Sequence, residues 1–277
     1  MQIFGKEWII SMHITLTGNL GSGKSTICRL LKGNYGYEIF STGTIQRKIA
    51  DDMGLTVLEL NKLMCTDKKY DNLIDDTTTR IAKENTDRDL VFDSRLAWHF
   101  AEASFKVFLS VSLDVAAARV LNDDRGSVES YSSLQDAMEQ LKLRAETEDK
   151  RYKELYQLDY FNFDNYNLIL DSTYNKPETL IEVMLEEKKL HEAAIAAGKP
   201  ERTKILVSPK RLGVEELTGE ELKKVSGMTL TLGETGRYPE KKVQIRKNGQ
   251  TFKIVAGEDV VKAAAAAGLT FVQCELV

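Results

Sequence analysis

Cysteine, histidine and proline are scarce in this chain. Only 3 Cys and 3 His occur among 277 residues. Cys28, Cys65 and Cys274 lie far apart with no CxxC spacing, which argues against a disulfide framework or a zinc site and points to a reducing compartment. The histidines are unclustered, so no histidine metal site is indicated. No segment approaches the roughly 20 apolar residues of a membrane span, and residues 1–12 lack the apolar stretch of a signal peptide. A cytoplasmic protein with no membrane partner is expected. Positive charge is not in excess either: the formal net charge is -4, and nucleic acid is therefore not an expected partner. All 4 prolines fall after Lys176, the first of them, Pro177, where it can open a helix at no hydrogen-bond cost.

What is present is an ordinary globular composition, 42% apolar and 29% charged, enough to bury a core. Short apolar runs at 13–17, 37–40, 90–92, 107–111 and 168–170 read as strands. Helical stretches separate them, among them 25–31, 72–84, 114–121 and 134–156. Strands alternating with helices predict an α/β fold in which a parallel five-stranded sheet is covered on both faces, a three-layer α/β/α arrangement. This domain is expected over 12–186, followed by a helical linker over 187–202 that ends at Gly198-Lys199-Pro200.

The strongest motif is Gly18-Asn19-Leu20-Gly21-Ser22-Gly23-Lys24-Ser25, a complete GxxxxGK[ST] between the first strand and first helix. Glycines let the backbone curl so that successive N–H groups face an anion, and the helix dipole adds positive potential. Gly18, Asn19, Gly21, Ser22, Gly23, Lys24, Ser25 and Thr26 are thus the expected ATP-binding residues. Lys24 is placed to reach the outer phosphates, and the Ser25 hydroxyl to hold Mg²⁺. The motif predicts a P-loop NTPase fold but does not separate a kinase from a GTPase or a motor ATPase.

Further elements favour a kinase. Ser41-Thr42-Gly43-Thr44-Ile45-Gln46-Arg47 follows the second strand, where Ser41 and Arg47 suit an acceptor phosphate clamped by a guanidinium fork. The third strand ends in Asp93-Ser94-Arg95; Asp93 is expected to orient Mg²⁺ or its waters and Arg95 to join Arg47 on the acceptor. Arg119, Arg125, Arg144 and Arg151 recur in a charged region. Phosphoryl transfer needs positive charge on the equatorial oxygens with water excluded, which suits Arg125, beside Gly126, as a lid arginine. Arg144 and Arg151, two helical turns apart, share a face and are expected to act with it.

From His13 to about Leu185 the chain resembles the short, archaeal-type cytidylate kinases and the bacterial cytidylate-kinase-like proteins. The resemblance is carried by the phosphate loop, the 41–47 element, Ser94-Arg95-Leu96-Ala97, and Arg144-Ala-Glu-Thr-Glu-Asp-Lys-Arg151-Tyr152, with Arg151-Tyr152-Lys153-Glu154-Leu155-Tyr156-Gln157-Leu158-Asp159 matching the family's R-Y-x-x-x-Y-x-x-D run. It implies phosphoryl transfer from ATP to CMP or dCMP with Mg²⁺, Asp159 among the acceptor residues, an acceptor-binding insert at about 45–79 and a lid at about 122–133. The chain departs from the family in having Asp93-Ser94-Arg95 where Glu-Gly-Arg is usual. Trp98-His99 stands where the family has smaller residues, which is expected to reshape the acceptor pocket. The alternatives are a P-loop kinase for another small acceptor and a nucleotide-binding ATPase that regulates the C-terminal module.

Residues 203–277 hold 12 Lys+Arg against 9 Asp+Glu, a surplus of +3 where the rest of the chain carries -7. Lys242–Arg246, Asn248-Gly249 and Thr251–Val255 form a β-hairpin signal. An alanine-rich helix over 260–267 and a strand over 271–276 complete a small α+β module. It is similar in layout to ParB/sulfiredoxin-like domains but lacks the arginine of their G-x-x-R at the helix start. A structural role or a protein partner is expected for it rather than phosphate binding. Its removal is expected to leave phosphotransfer measurable.

Overall fold

The computed structural model describes residues 12–55, 60, 63, 64, 69–122, 131–199, 202–214, 216–236 and 241–277. The chain divides into two compact units, Met1–Thr17 with Cys28–Lys106, and Gly18–Ile27 with Val107–Val277.

In the first unit, β1 (His13–Gly18), β2 (Glu38–Ser41) and β3 (Leu90–Asp93) form a parallel set in the order β2-β3-β1. The β1 side chains are buried throughout, as expected of a strand with covered faces. Helix α1 (Lys24–Tyr35) begins at the phosphate loop. Helix α2 (Thr42–Met53) stops at Gly54, whose φ of +66° is left-handed backbone that glycine adopts without a Cβ penalty. Its Ala50 is buried with Leu60, Met64 and Ile74, the last on α3 (Lys69–Glu84). A second apolar cluster joins Leu90 and Phe92 to Ala97 and Ala101 around the short α4 (Ala97–Phe100).

In the second unit, β4 (Ser104–Ser110), β5 (Leu168–Asp171) and β6 (Lys204–Val207) are parallel neighbours. Helices α5 (Leu113–Leu121) and α6 (Leu134–Tyr156) pack through Ala116, Ala117, Val120, Ala137 and Leu141. The alanines let the two backbones approach closely. Helix α7 (Pro177–Ala196) opens on its proline, as the sequence predicts, and extends through most of the expected linker.

The C-terminal residues contain the expected hairpin, β7 (Val243–Asn248) and β8 (Thr251–Ala256), turned at Gly249 with φ +57°. They also contain α8 (Gly219–Thr235), α9 (Glu258–Ala266) and β9 (Val272–Leu276). Two of the elements there were not legible in the sequence. β6 is a four-residue run whose strand character comes from pairing Ile205 with Ile169 of β5. α8 carries Gly227, Gly233 and several threonines, all poor helix formers. Its one sequence signal is the capping box Thr218/Glu221, in which side chain and backbone satisfy each other reciprocally.

Because β6 pairs with β5 on one edge and with β9 antiparallel on the other, and β9 with β7, residues from 204 onward are hydrogen-bonded to the strand that carries Asp171. The compact unit therefore runs across the boundary expected at residue 203. Cys28 and Cys274 are buried free thiols, and burial pushes Cys274 up to about 12, so it stays protonated. Cys65 lies outside the described residues. Among the described residues no helix is long and apolar enough to cross a membrane.

Candidate functional site

The phosphate loop is built on backbone that only glycine tolerates. Gly18, Gly21 and Gly23 have φ of +154°, +73° and +89°. A Cβ on Gly18 would lie 2.4 Å from the Leu109 carbonyl oxygen, and one on Gly21 would lie 2.8 Å from that of Ala116. The first two glycines thus permit close approach to β4 and α5, whereas Gly23 has open space and is needed for its φ alone.

Asn19 fixes the loop's start. Its N–H donates to Leu109 O at 3.0 Å, and its Oδ1 accepts from Val111 N at 3.2 Å. Ser22 N donates to Asn19 O at 3.3 Å, closing the curl. The Ser22 hydroxyl is buried with no hydrogen-bond partner among the described residues, an arrangement that suits a ligand oxygen. Lys24 is half-buried at the first position of α1, followed by exposed Ser25 and half-buried Thr26. The first-turn N–H groups of a helix have no intrahelical partner, which makes this end a ready anion site.

The loop is also held from behind by a residue that the sequence reading left without a firm role. Arg119, on α5, donates to the Gly21 carbonyl at 3.3 Å and to the Ser172 and Thr173 carbonyls at 2.6 and 3.2 Å. Burial lowers its pKa from the ordinary arginine value, and the Asp171 carboxylate opposes that shift. No spacing rule identifies this arginine, because its partners are three backbone carbonyls in two segments far from it in the chain.

We expect Gly21→Ala to weaken ATP binding and to cost about 1–3 kcal/mol of stability through the clash and the forced φ. Calorimetry with Mg-ATP and a thermal melt read the two effects separately, and a variant unchanged in both would contradict the close-approach argument.

In the first unit Ser41, Asp93 and Arg95 lie at the C-terminal strand ends, the edge where open α/β sheets bind ligands; Ser25 and Asp159 belong to the second unit. Ser41 of β2 stands in register with Asp93 of β3, and Thr42 Oγ1 donates to Asp93 O at 3.5 Å. Thr17 Oγ1 donates to Ser94 O at 3.0 Å, which fixes the turn that presents half-buried Arg95. Arg47 lies on α2, and its side chain is outside the description. Trp98, expected with His99 to reshape the acceptor pocket, is buried to 6% exposure on α4 beside exposed His99.

On α6, exposed Arg144 pairs with Glu148 at 3.0 Å, while half-buried Arg151 lies over the Tyr152 ring at 5.2 Å. Asp159 is already engaged: its Oδ1 accepts from Phe161 N at 2.9 Å, and its Oδ2 pairs with Lys153 at 3.2 Å. That carboxylate closes the turn after α6, a local task the sequence reading did not foresee. Arg125 lies outside the described residues.

Residues 13–174 match the model of the Cytidylate kinase-like family. The chain is 35% identical over 161 residues to the cytidylate kinase of Methanothrix thermoacetophila, which covers 58% of this chain and 88% of that one. It is 31% identical over 179 residues to the cytidylate kinase of Methanobrevibacter smithii, covering 65% and 99%. Against the cytidylate kinase of Natronomonas pharaonis the identity is 38% over 169 residues, covering 60% and 84%.

Proposed function

Because the chain belongs to the cytidylate kinase-like family, we propose that it transfers the γ-phosphoryl group of ATP to CMP or dCMP, forming ADP and CDP or dCDP. An oxygen of the acceptor's phosphate attacks the γ-phosphorus, and the bond to the β,γ-bridging oxygen breaks, leaving its electron pair on ADP. The observation that carries the reading is the glycine loop, with three positive-φ glycines and a buried, unpartnered Ser22 hydroxyl at the start of α1.

Each residue has a task in this reaction. The loop N–H groups and Lys24 hold the outer phosphates and offset the charge that builds during transfer. Arg95, with Arg47, clamps the acceptor's phosphate. Arg144 and Arg151, with Arg125, serve the lid side, where they neutralise equatorial oxygens as water is excluded. Arg144 must exchange its Glu148 partner for substrate, at small cost because an exposed i,i+4 pair contributes only about 0.3–0.5 kcal/mol.

The Ser25 hydroxyl of the second unit is an oxygen donor of the kind a hard cation takes alongside phosphate oxygens and water, and the Asp93 carboxylate of the first unit is a donor of the same kind. Mg²⁺ taken by such donors would neutralise charge on the β- and γ-phosphates.

A panel of CMP, dCMP, UMP and AMP with Mg-ATP tests the reading directly: turnover led by the cytidine nucleotides is expected, and none above the ATP-only rate would refute it. Arg95→Ala is expected to raise KM for CMP by about ten- to a hundredfold, the loss of a charge-assisted contact, with KM for ATP little altered. Equal losses for both substrates would remove Arg95 from the acceptor.

A further inference from the structure

The second unit contains a buried polar network that begins in the C-terminal residues and ends on the phosphate loop. Arg211 sits in the 3₁₀ turn Pro209–Leu212, beyond the 13–174 family match. Its Nη1 donates to Asp171 Oδ1 at 2.7 Å and to Ser110 Oγ at 3.0 Å, and its Nη2 donates to Gln250 O at 2.8 Å. The guanidinium lies 4.4 Å over the Phe252 ring. Both partners of the ion pair are out of water, with side-chain exposures of 4% and 0%.

Asp171 is fully committed. Its Oδ1 also accepts from Thr173 N and Thr173 Oγ1, and its Oδ2 accepts from Ser208 N at 3.1 Å. The carboxylate thereby shapes the Ser172-Thr173 turn, whose two carbonyls anchor Arg119. Arg119 in turn holds the Gly21 carbonyl at 3.3 Å. At the other end, Gln250 Nε2 donates to Val111 O at 2.9 Å, and Val111 N donates to Asn19 Oδ1. Two routes therefore lead from the C-terminal residues to the two ends of the phosphate curl, one through Asp171 and Arg119 to Gly21, one through Gln250 and Val111 to Asn19.

We propose that Arg211 is a positioning residue for the phosphate loop, setting its ATP-binding shape through Asp171, the Ser172-Thr173 turn and Arg119. The C-terminal residues are then a working part of the nucleotide site. The physical reason is the buried carboxylate. Without the Arg211 guanidinium, Asp171 loses its ion-pair partner in a buried site and must re-pair or turn toward water, and either change moves the carbonyls on which Arg119 depends. Arg119 bridges three backbone carbonyls with one rigid fork, so a shift at Ser172 is felt at Gly21.

The proposal rests on the reading that this loop binds ATP, and the test separates the two. Full-length Arg211→Met, Arg211→Lys, Arg119→Met and the Arg211→Met/Arg119→Met double variant are compared by thermal melt, by calorimetry with Mg-ATP, and by KM for each substrate. Arg211→Met is expected to weaken ATP by about tenfold, within the usual range of coupling between sites, while KM for CMP stays within about twofold. Arg211→Lys keeps the charge but not the fork and should show a smaller loss. If both arginines act on one path, the double variant binds ATP no worse than the weaker single variant; independent effects would multiply.

A cooperatively melting Arg211→Met with wild-type ATP affinity overturns the proposal, as do losses that multiply in the double variant. Should Arg211→Met fail to melt cooperatively, Arg211→Lys carries the test on the same criterion. A wild-type chain that binds ATP but leaves CMP untouched refutes the acceptor reading while the calorimetric arm still decides the role of Arg211. A wild-type chain that takes up no ATP overturns both.

Discussion

Lys24→Ala should lower phosphotransfer by about 10²–10³-fold, the scale on which removing one preorganised charge-stabilising donor acts, and should leave the fold standing. Lys24 is half-buried at the first position of α1 and is not part of the second unit's apolar cluster around Ala116 and Leu141. Its replacement costs a long side chain at a helix start, where alanine is well tolerated, so a stability change within about 1 kcal/mol is expected. The loss should fall mainly on kcat, because the ammonium matters most when charge accumulates on the γ-phosphate. Steady-state kinetics with both substrates varied, alongside a thermal melt, make the comparison. Activity near the wild-type level would remove Lys24 from the mechanism.

A chain ending at Arg202 is expected to lose soluble, active protein. The sequence alone suggested the reverse, since residues 203–277 read as a separable module. The strand pairing changes that expectation. Cutting there removes β6 from β5 and leaves Ile169 and Leu170, both fully buried in the whole chain, on an open edge. Unpaired edge strands of this kind invite aggregation.

The same cut strips Asp171 of Arg211 and of the Ser208 N–H. A buried charge deprived of its partner costs about 3–5 kcal/mol, a large part of the total stability of a typical domain. Thr203, whose hydroxyl donates to Tyr166 O at 2.8 Å, goes as well. The matched relatives are covered to 84–99% of their own length by matches that span 58–65% of this chain. The fold type therefore exists without such a segment, and the expected failure belongs to the contacts particular to this sequence. Soluble yield and a melt of the truncated chain decide the matter; a soluble fragment with full activity would show the C-terminal residues to be an appendage.

Local chemistry settled much of what the sequence disclosed. The glycine loop was legible because only a few residue types can make that backbone, and Gly21 and Gly23 do hold left-handed angles. The strands at 90–93 and 168–171 were legible because a covered parallel strand is a near-continuous apolar run, and that at 13–18 because Ile14 and Leu16 lead into the glycine turn. The Asn248-Gly249 turn and the Pro177 helix start were legible for the same reason, since each depends on the φ preference of one or two residues.

Tertiary structure alone decided the rest, because the groups involved are far apart in the chain and carry no periodic signal. Asp171 gives no sign in the sequence that its partner is Arg211, 40 residues on. Nothing near Arg119 announces that it grips a carbonyl 98 residues earlier. Nor does the sequence disclose that Trp98 is buried, or that the Asp159 carboxylate accepts from Phe161 N in the turn after α6. Backbone preferences are written residue by residue and can be read in order. Which charge neutralises which, and which strand covers which edge, are settled only when burial removes water and forces each polar group to find a partner.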